Sequence, residues 1–236
     1  VAGVKSNPVQ GSQTLARGLR AVEIIAQAPD GMTGAEVARS MGAHQSIVYR
    51  LLQTLVQSGI VRRDSDNHYR IGLSTLQLAN AATGGLRSVA RPLLSSAADA
   101  TRCSCWLFVE NGDEAVAVLA VEPGAFRTSN PFVEGSRHPL NRGAAGYALL
   151  SLYPPSAADL PTVVEAREAG YAISHGEISP SAWGIAAPVR FDSPAMHACV
   201  TIASSSEVDV LAAVPVLHQV VRELAEAINR PGLPVS

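Results

Sequence analysis

Apolar residues recur at helical spacing through the first quarter of the chain and at strand spacing through its middle. Leu15, Leu19, Val22 and Ile25 predict an amphipathic first helix, with Ser12 or Thr14 as its cap. Pro29-Asp30-Gly31 is a turn. Thr33 followed three residues later by Glu36 is a capping-box pattern, and Val37, Ala38 and Met41 form one apolar face. Gly42 permits a left-handed stop. A second helix follows, in which Val48, Leu51, Leu52 and Leu55 fall at i, i+3, i+4 and i+7. Ser46, Arg50, Gln53 and Gln57 lie opposite that stripe, flanked by Tyr49 on one side and by Ile47 and Thr54 on the other. The exposed face is therefore polar, bears one cation and lacks acidic residues. Gly59 closes the helix. Residues 60–63 and 69–71 then pair as two strands around the turn 64–68, bringing Arg62, Arg63 and Arg70 beside the second helix.

Residues 74–82 predict a helical linker, broken by Gly84-Gly85 as a hinge, and residues 86–101 a helix with Pro92 allowing a kink or restart. The period then changes to two. Residues 103–110 and 114–121 predict strands joined by Asn111-Gly112, the strongest short signal for a type I′ hairpin. Weaker strands are expected at 126–130 and 137–140, then helices at 143–152 and 162–169, strands at 171–174, 183–190 and 197–204, and one long helix at 208–229. Helices flanking a mainly antiparallel sheet make an α+β domain. The expected organisation is a disordered tail at 1–11, a winged helix-turn-helix at 12–73, a helical linker at 74–85 and a second domain at 86–236.

Composition narrows the class. No apolar run approaches the ~18 residues of a membrane span, and the first eleven residues lack the apolar core of a secretory signal. Three cysteines are too few and odd in number for a disulfide framework, and suit a reducing cytoplasm. Cys103 and Cys105 share one strand face but supply no full metal-ligand set. Trp106 and Phe108 share the other, and one of these two faces must line the interior. Net charge is −2 overall, but residues 1–85 carry eight Lys/Arg against five Asp/Glu, and the remainder ten against fifteen. That asymmetry suits a DNA-binding head on an acidic body, with two heads per complex needed for useful affinity.

Two short helices joined by a tight turn place one helix in the DNA major groove, and arginines on a wing suit phosphate or minor-groove contact. A plain helical hairpin with a solvated face gives the same helix pattern without the wing. A second candidate site is Asn141-Arg142-Gly143-Ala144-Ala145-Gly146, which leads from a strand into a helix. Small residues expose backbone N–H groups there, the helix dipole favours an anion, and Arg142 offers a bidentate carboxylate contact. The alternative is a tight turn with close helix–sheet packing, which needs only the glycines. Trp183 offers a cavity wall or a core residue. His138, His175 and His197 lie near these segments, with solvated or capping roles the simpler reading. No catalytic motif, cofactor signature or metal-ligand spacing is present: Gly-x-Ser-x-Gly, His-Glu-x-x-His and Gly-x-x-x-x-Gly-Lys-Ser/Thr do not occur. A hydrolase-type enzyme is the remotest alternative. A sensor or interaction module without sequence-specific DNA binding stands between it and a regulator.

Three stretches resemble bacterial regulators of the IclR type. They are Ser46-Ile-Val-Tyr-Arg-Leu-Leu-Gln-Thr-Leu55 with Tyr69-Arg-Ile-Gly72, then Gly135-Ser-Arg-His-Pro-Leu-Asn-Arg-Gly-Ala-Ala-Gly-Tyr-Ala-Leu-Leu150, then Arg167-Glu-Ala-Gly-Tyr-Ala-Ile173 continuing to Trp183-Gly-Ile-Ala-Ala-Pro-Val189. The resemblance implies a winged helix-turn-helix, a helical linker and a GAF-like effector-binding domain. It further implies homodimers or dimers of dimers on a pseudo-palindromic double-stranded operator, and a small-molecule effector, often a carboxylate or aromatic catabolite. It carries a DNA-contacting role to Gln45, Ser46, Ile47, Tyr49, Arg50, Gln53, Arg62, Arg63 and Arg70. An effector-contacting role goes to Asn141, Arg142, Gly143, Ala144, Ala145, Tyr147, Trp183, Gly184, Ile185 and Ala186. The chain departs from the usual family pattern at Gln45, Ile47 and Tyr49 and at Tyr147, where a lysine is common.

Overall fold

A computed structural model describes residues 11–124, 133–192 and 196–229. The expected weak strand at 126–130, and all but the last residue of the expected tail, lie outside the described residues. The chain divides into two compact units between Ala82 and Thr83.

The first unit begins with α1 (Gln13–Ala26), capped by Ser12, whose hydroxyl accepts from the Leu15 N–H. Its buried face differs from the leucine stripe. Gly18, Ala21, Ile24 and Ile25 pack inward, while Leu15 and Leu19 remain 63% and 56% exposed. Small residues at positions 18 and 21 allow a closer approach than leucines would. A two-residue strand, β1 (Met32–Thr33), leads into α2 (Gly34–Met41). The capping box is complete: the Thr33 N–H donates to Glu36 Oε2 at 2.8 Å, and the Glu36 N–H donates to Thr33 Oγ1 at 3.3 Å. Gly42 ends α2 with φ +60°. Helix α3 (Gln45–Gln57) buries Val48, Leu51 and Leu52. Strands β2 (Val61–Arg63) and β3 (His68–Ile71) form the wing, and β1 pairs on the far side of β3 to give the order β1-β3-β2. Val37, Val48, Leu52, Val61 and Tyr69 close the core of this unit.

Helix α4 (Ser74–Thr101) runs unbroken through Gly84-Gly85 and Pro92, which corrects the expected break in the helix at the glycine pair. Glycine costs a helix interior only about 1 kcal/mol, and Leu86, Ala90, Leu94, Ala97 and Ala98 bury one face of this helix. The second unit is built on β4 (Ser104–Asn111), β5 (Glu114–Val121), β6 (Arg137–Pro139), β7 (Ala172–His175), β8 (Trp183–Val189) and β9 (Ala198–Ser204). Among the described residues the sheet is antiparallel throughout, in the order β6-β5-β4-β9-β8-β7. The β4–β5 hairpin turns one residue later than Asn111-Gly112 predicts. Asn111 pairs with Glu114, and of the loop residues only Gly112 has a positive φ, +62°, the pattern of a type II′ turn.

Helices cover both faces of this sheet, so the strand alternation at Cys105–Phe108 does not separate interior from solvent. Cys105 and Leu107 pack with Ile185, Val200 and Ile202 against α4, α7 (Glu207–Ala212) and α8 (Val214–Ile228). Trp106 and Phe108 pack with Ala186 and Cys199 against α5 (Gly143–Leu150) and α6 (Pro161–Ala169). The expected single terminal helix is two, broken at Ala213, because Pro215 lacks the N–H that a continuous helix requires. No helix of the described residues is long and apolar enough to cross a membrane.

Candidate functional site

The first candidate surface is the outer face of α3 with the wing beside it. Gln45, Ser46, Ile47, Tyr49, Arg50 and Gln53 are all exposed there. Tyr49 is partly supported from below: a Cβ on Gly34 would lie 2.8 Å from its ring, so the missing side chain makes room for the tyrosine against α2. A shallow groove runs between α3 and the wing, bordered by Tyr49, Arg50 and Gln53 on one side and by Arg63 and Tyr69 on the other.

The three wing arginines do different things. Arg62 is exposed. Arg63 is exposed too, but donates to Asn67 Oδ1 at 2.7 Å, and its guanidinium lies 5.6 Å from the Tyr69 ring centroid. Arg70 turns into the fold: its Nε donates to Asp64 Oδ2 at 3.0 Å and its Nη1 to the Pro29 carbonyl at 2.9 Å. Asp64 Oδ1 also accepts from the His68 and Asp66 N–H groups, closing the wing turn. The Arg70 hydrogen bond, with help from those N–H groups, holds the Asp64 carboxyl below the usual range. Arg70 thus joins the two ends of the wing to the turn after α1.

The second candidate is a cavity of about 490 Å³ of empty space, its mouth included, on the α5 side of the sheet. Gly143, Ala144, Ala145, Trp183 and Gly184 line it, as the two separate sequence segments suggested. Ile185 does not: strand alternation turns it to the opposite face, where it is fully buried against the α4 and α8 side. Ala186 lies on the cavity's side of the sheet, buried in the core beneath α5. Asn141 and Arg142 are exposed and outside the cavity wall.

The first two backbone donors of α5 are already engaged. Glu177, on the β7–β8 connection, accepts from the Gly143 N–H at 2.8 Å and from the Tyr147 hydroxyl at 2.6 Å through the same carboxylate oxygen. The Ala144 N–H donates to Ser174 Oγ at 2.9 Å. Arg142 donates to the Glu177 carbonyl rather than to open solvent. Burial, then the Glu177 hydrogen bond, raises the Tyr147 phenol above its usual range. Both glycines also have steric reasons to be there. A Cβ on Gly143, whose φ is +76°, would meet Ile178 at 2.7 Å, and one on Gly146 would meet the Leu140 carbonyl oxygen at 2.2 Å.

The rest of the wall is largely apolar and comes from residues that sequence reasoning did not assign to this site: Trp106 and Phe108 from β4, and Ile178 and Ala182 from the β7–β8 connection. Two polar groups matter. His138 is buried, its Nδ1 3.0 Å from the Pro139 carbonyl, and burial pushes its imidazole below the usual value. Thr201 is 7% exposed, and its hydroxyl has no hydrogen-bond partner of acceptable geometry among the described residues. His175 stacks on Trp183 at 4.2 Å between centroids, His197 Nδ1 sits 2.8 Å from Glu110 Oε2, and neither histidine lines the cavity. Cys103, Cys105 and Cys199 are buried free thiols, and burial raises Cys105 above the titratable range and Cys199 to about 12. No cluster of metal ligands occurs among the described residues.

Comparison with known proteins agrees with this architecture. Residues 14–65 match the IclR helix-turn-helix domain family. The chain is 29% identical over 146 residues to the HTH-type transcriptional regulator Rv1719 of Mycobacterium tuberculosis, an alignment spanning 61% of this chain and 56% of that protein. The chain thus spans about half the length of that relative. It is 21% identical to the HTH-type transcriptional regulator KipR of Bacillus subtilis over 93% of this chain and 96% of that one. The fold matches, with a TM-score of 0.79 and 22% identity, an IclR homolog from Microbacterium hydrocarbonoxydans crystallised with 4-hydroxybenzoate, covering 91% of this chain and 98% of that one. Residues 14–65 are thus an IclR-type helix-turn-helix domain, and the helix-turn-helix, the antiparallel-sheet domain and these likenesses together support an IclR-type transcriptional regulator.

Proposed function

We propose that this protein is a ligand-responsive regulator in the cytoplasm that binds a pseudo-palindromic DNA operator and whose occupancy responds to a small organic molecule. The observation that carries the DNA reading is the outer face of α3, exposed, polar and free of acidic side chains, with Arg62 and Arg63 beside it on the wing. Ser46, Tyr49, Arg50 and Gln53 address base edges and Arg62 and Arg63 hold phosphates, while Arg70 keeps the wing in place. Leu15 and Leu19 on α1, and Leu73, Leu76 and Leu78 at and near the start of α4, are exposed and support self-association into the dimer that such an operator requires. The cavity beneath α5 is the ligand site, and the 4-hydroxybenzoate held by the Microbacterium hydrocarbonoxydans homolog supports an aromatic or similarly compact effector.

The test is a band-shift titration on DNA flanking the protein's own coding region, against scrambled DNA of equal length, at about 0.15 M salt. Specific sites bind about 10³-fold or more tighter than scrambled DNA for regulators of this kind. Equal weak binding to both, unchanged by metabolite pools, would leave a sensor without sequence-specific DNA recognition as the better account.

A further inference from the structure

We propose that the cavity beneath α5 selects an uncharged ligand, because Glu177 is a resident anion that already occupies the helix start where a ligand carboxylate would sit. The inference rests on the reading of this cavity as the ligand site and names the chemical class that the site accepts.

Four observations meet here. First, the first two backbone donors of α5, which would make this helix start attractive to an anion, are taken. Gly143 N–H and Tyr147 O–H both go to Glu177, and Ala144 N–H goes to Ser174. Second, the wall offers no cation to replace them. Arg142 is turned to the Glu177 backbone, and no lysine or arginine lines the cavity among the described residues. His138, the basic group in the wall, is held below its usual range by burial and brings no positive charge at neutral pH. Third, a ligand carboxylate would share a small, mostly apolar space with the Glu177 carboxylate. Like charges in a low dielectric repel strongly, and desolvation adds to the cost. Fourth, one polar group does call for a partner. The Thr201 hydroxyl is more than nine-tenths buried, lines the cavity and, beyond the weak thiol of Cys199 two residues before it on β9, has no hydrogen-bond partner among the described residues. A hydroxyl can donate and accept, so a neutral carbonyl, amide or hydroxyl satisfies it without introducing charge. Trp106, Phe108, Ile178 and Trp183 supply the apolar wall for the remainder of such a molecule.

The chain carries a built-in reporter. Its two tryptophans, Trp106 and Trp183, both line the cavity. Intrinsic fluorescence of the full chain is therefore titrated with matched pairs of equal shape and different charge: 4-hydroxybenzamide and 4-hydroxybenzoate, benzamide and benzoate, cyclohexanecarboxamide and cyclohexanecarboxylate. In every pair that binds, the amide is expected to bind about tenfold or more tighter than the carboxylate. Glu177→Gln keeps the shape and removes the charge, and it should bring the two members to within about threefold of each other, chiefly by improving the carboxylate. Thr201→Val should weaken the amides about five- to tenfold, the effect of one lost hydrogen bond. Wild-type protein binding a carboxylate as tightly as its amide, or tighter, would overturn the proposal without needing a variant. An unchanged amide preference in a folded Glu177→Gln protein would overturn the role given to Glu177. Silence with all six probes would instead sink the reading of this cavity as the ligand site, and the charge selectivity with it.

Discussion

Arg50, Arg62 and Arg70 carry the same charge but stand in three different settings. Arg50 stands exposed on the outer face of α3, Arg62 is exposed on the wing, and Arg70 is clamped between Asp64 and Pro29. Arg50→Ala should cost ~1–3 kcal/mol at the specific site and relax preference at one base position. Arg62→Ala should weaken all DNA sequences alike and reduce the salt slope by about one phosphate contact. Arg70→Ala should loosen the wing and weaken binding without that change of slope. Band shifts at several salt concentrations separate the three outcomes. His138 makes a different prediction. Burial lowers its pKa from the ordinary 6.5, so the folded state favours the neutral ring. The stability this confers is present above the unfolded value and is lost as pH falls through it toward the folded one, where only the unfolded chain takes up the proton. Denaturant unfolding between about pH 7.5 and about pH 5.5 should show falling stability, and His138→Gln should flatten that fall.

Helix α5 shows how tightly an element can be tied to its neighbours. It starts at Gly143 with a positive φ and comes within contact of the Leu140 carbonyl at Gly146. A methyl at Gly146 has no room against backbone, so Gly146→Ala should shift or unseat the helix. Overpacking of this kind costs ~1–3 kcal/mol and sometimes more. Thermal unfolding of the variant should fall, and the tryptophan response to cavity probes should fall with it. The capping box of α2 has the opposite character. Thr33 and Glu36 satisfy each other locally, and Thr33→Ala should cost about 1 kcal/mol in the first unit without touching the cavity.

Regulation requires the two units to be thermodynamically linked, whatever route the linkage takes. A cavity ligand shifts DNA affinity only by the difference in its own affinity for the DNA-bound and free forms. Coupling in such systems is commonly 5–150-fold, about 1–3 kcal/mol, and it is reciprocal. Operator DNA should therefore change the affinity of an amide probe, read by tryptophan fluorescence, by the same factor that the probe changes operator affinity in a band shift. A ligand that binds tightly while operator affinity stays constant would separate the cavity from regulation.

What could be read from the chain was what short range encodes. The capping box links residues three apart, the α3 stripe repeats every three or four, and the wing closes over a five-residue turn, so helix starts, faces and hairpins follow from neighbours alone. The family resemblance rests on those same stretches. Periodicity tells which face of an element is apolar but not what covers it. It left Leu15 and Leu19 assigned to the interior when they are exposed, and it left the two faces of β4 undecided when helices bury both. It also broke α4 at a glycine pair whose local cost is offset by packing of Leu86, Ala90 and Leu94. The cavity depended most on long range. Glu177 meets Gly143 across 34 residues, and Thr201 reaches the same space from β9, through a strand order that no local signal specifies. The glycines and alanines at 143–146 advertised a helix start open to an anion. Only the folding of the β7–β8 connection back onto that start decided that the anion is the protein's own.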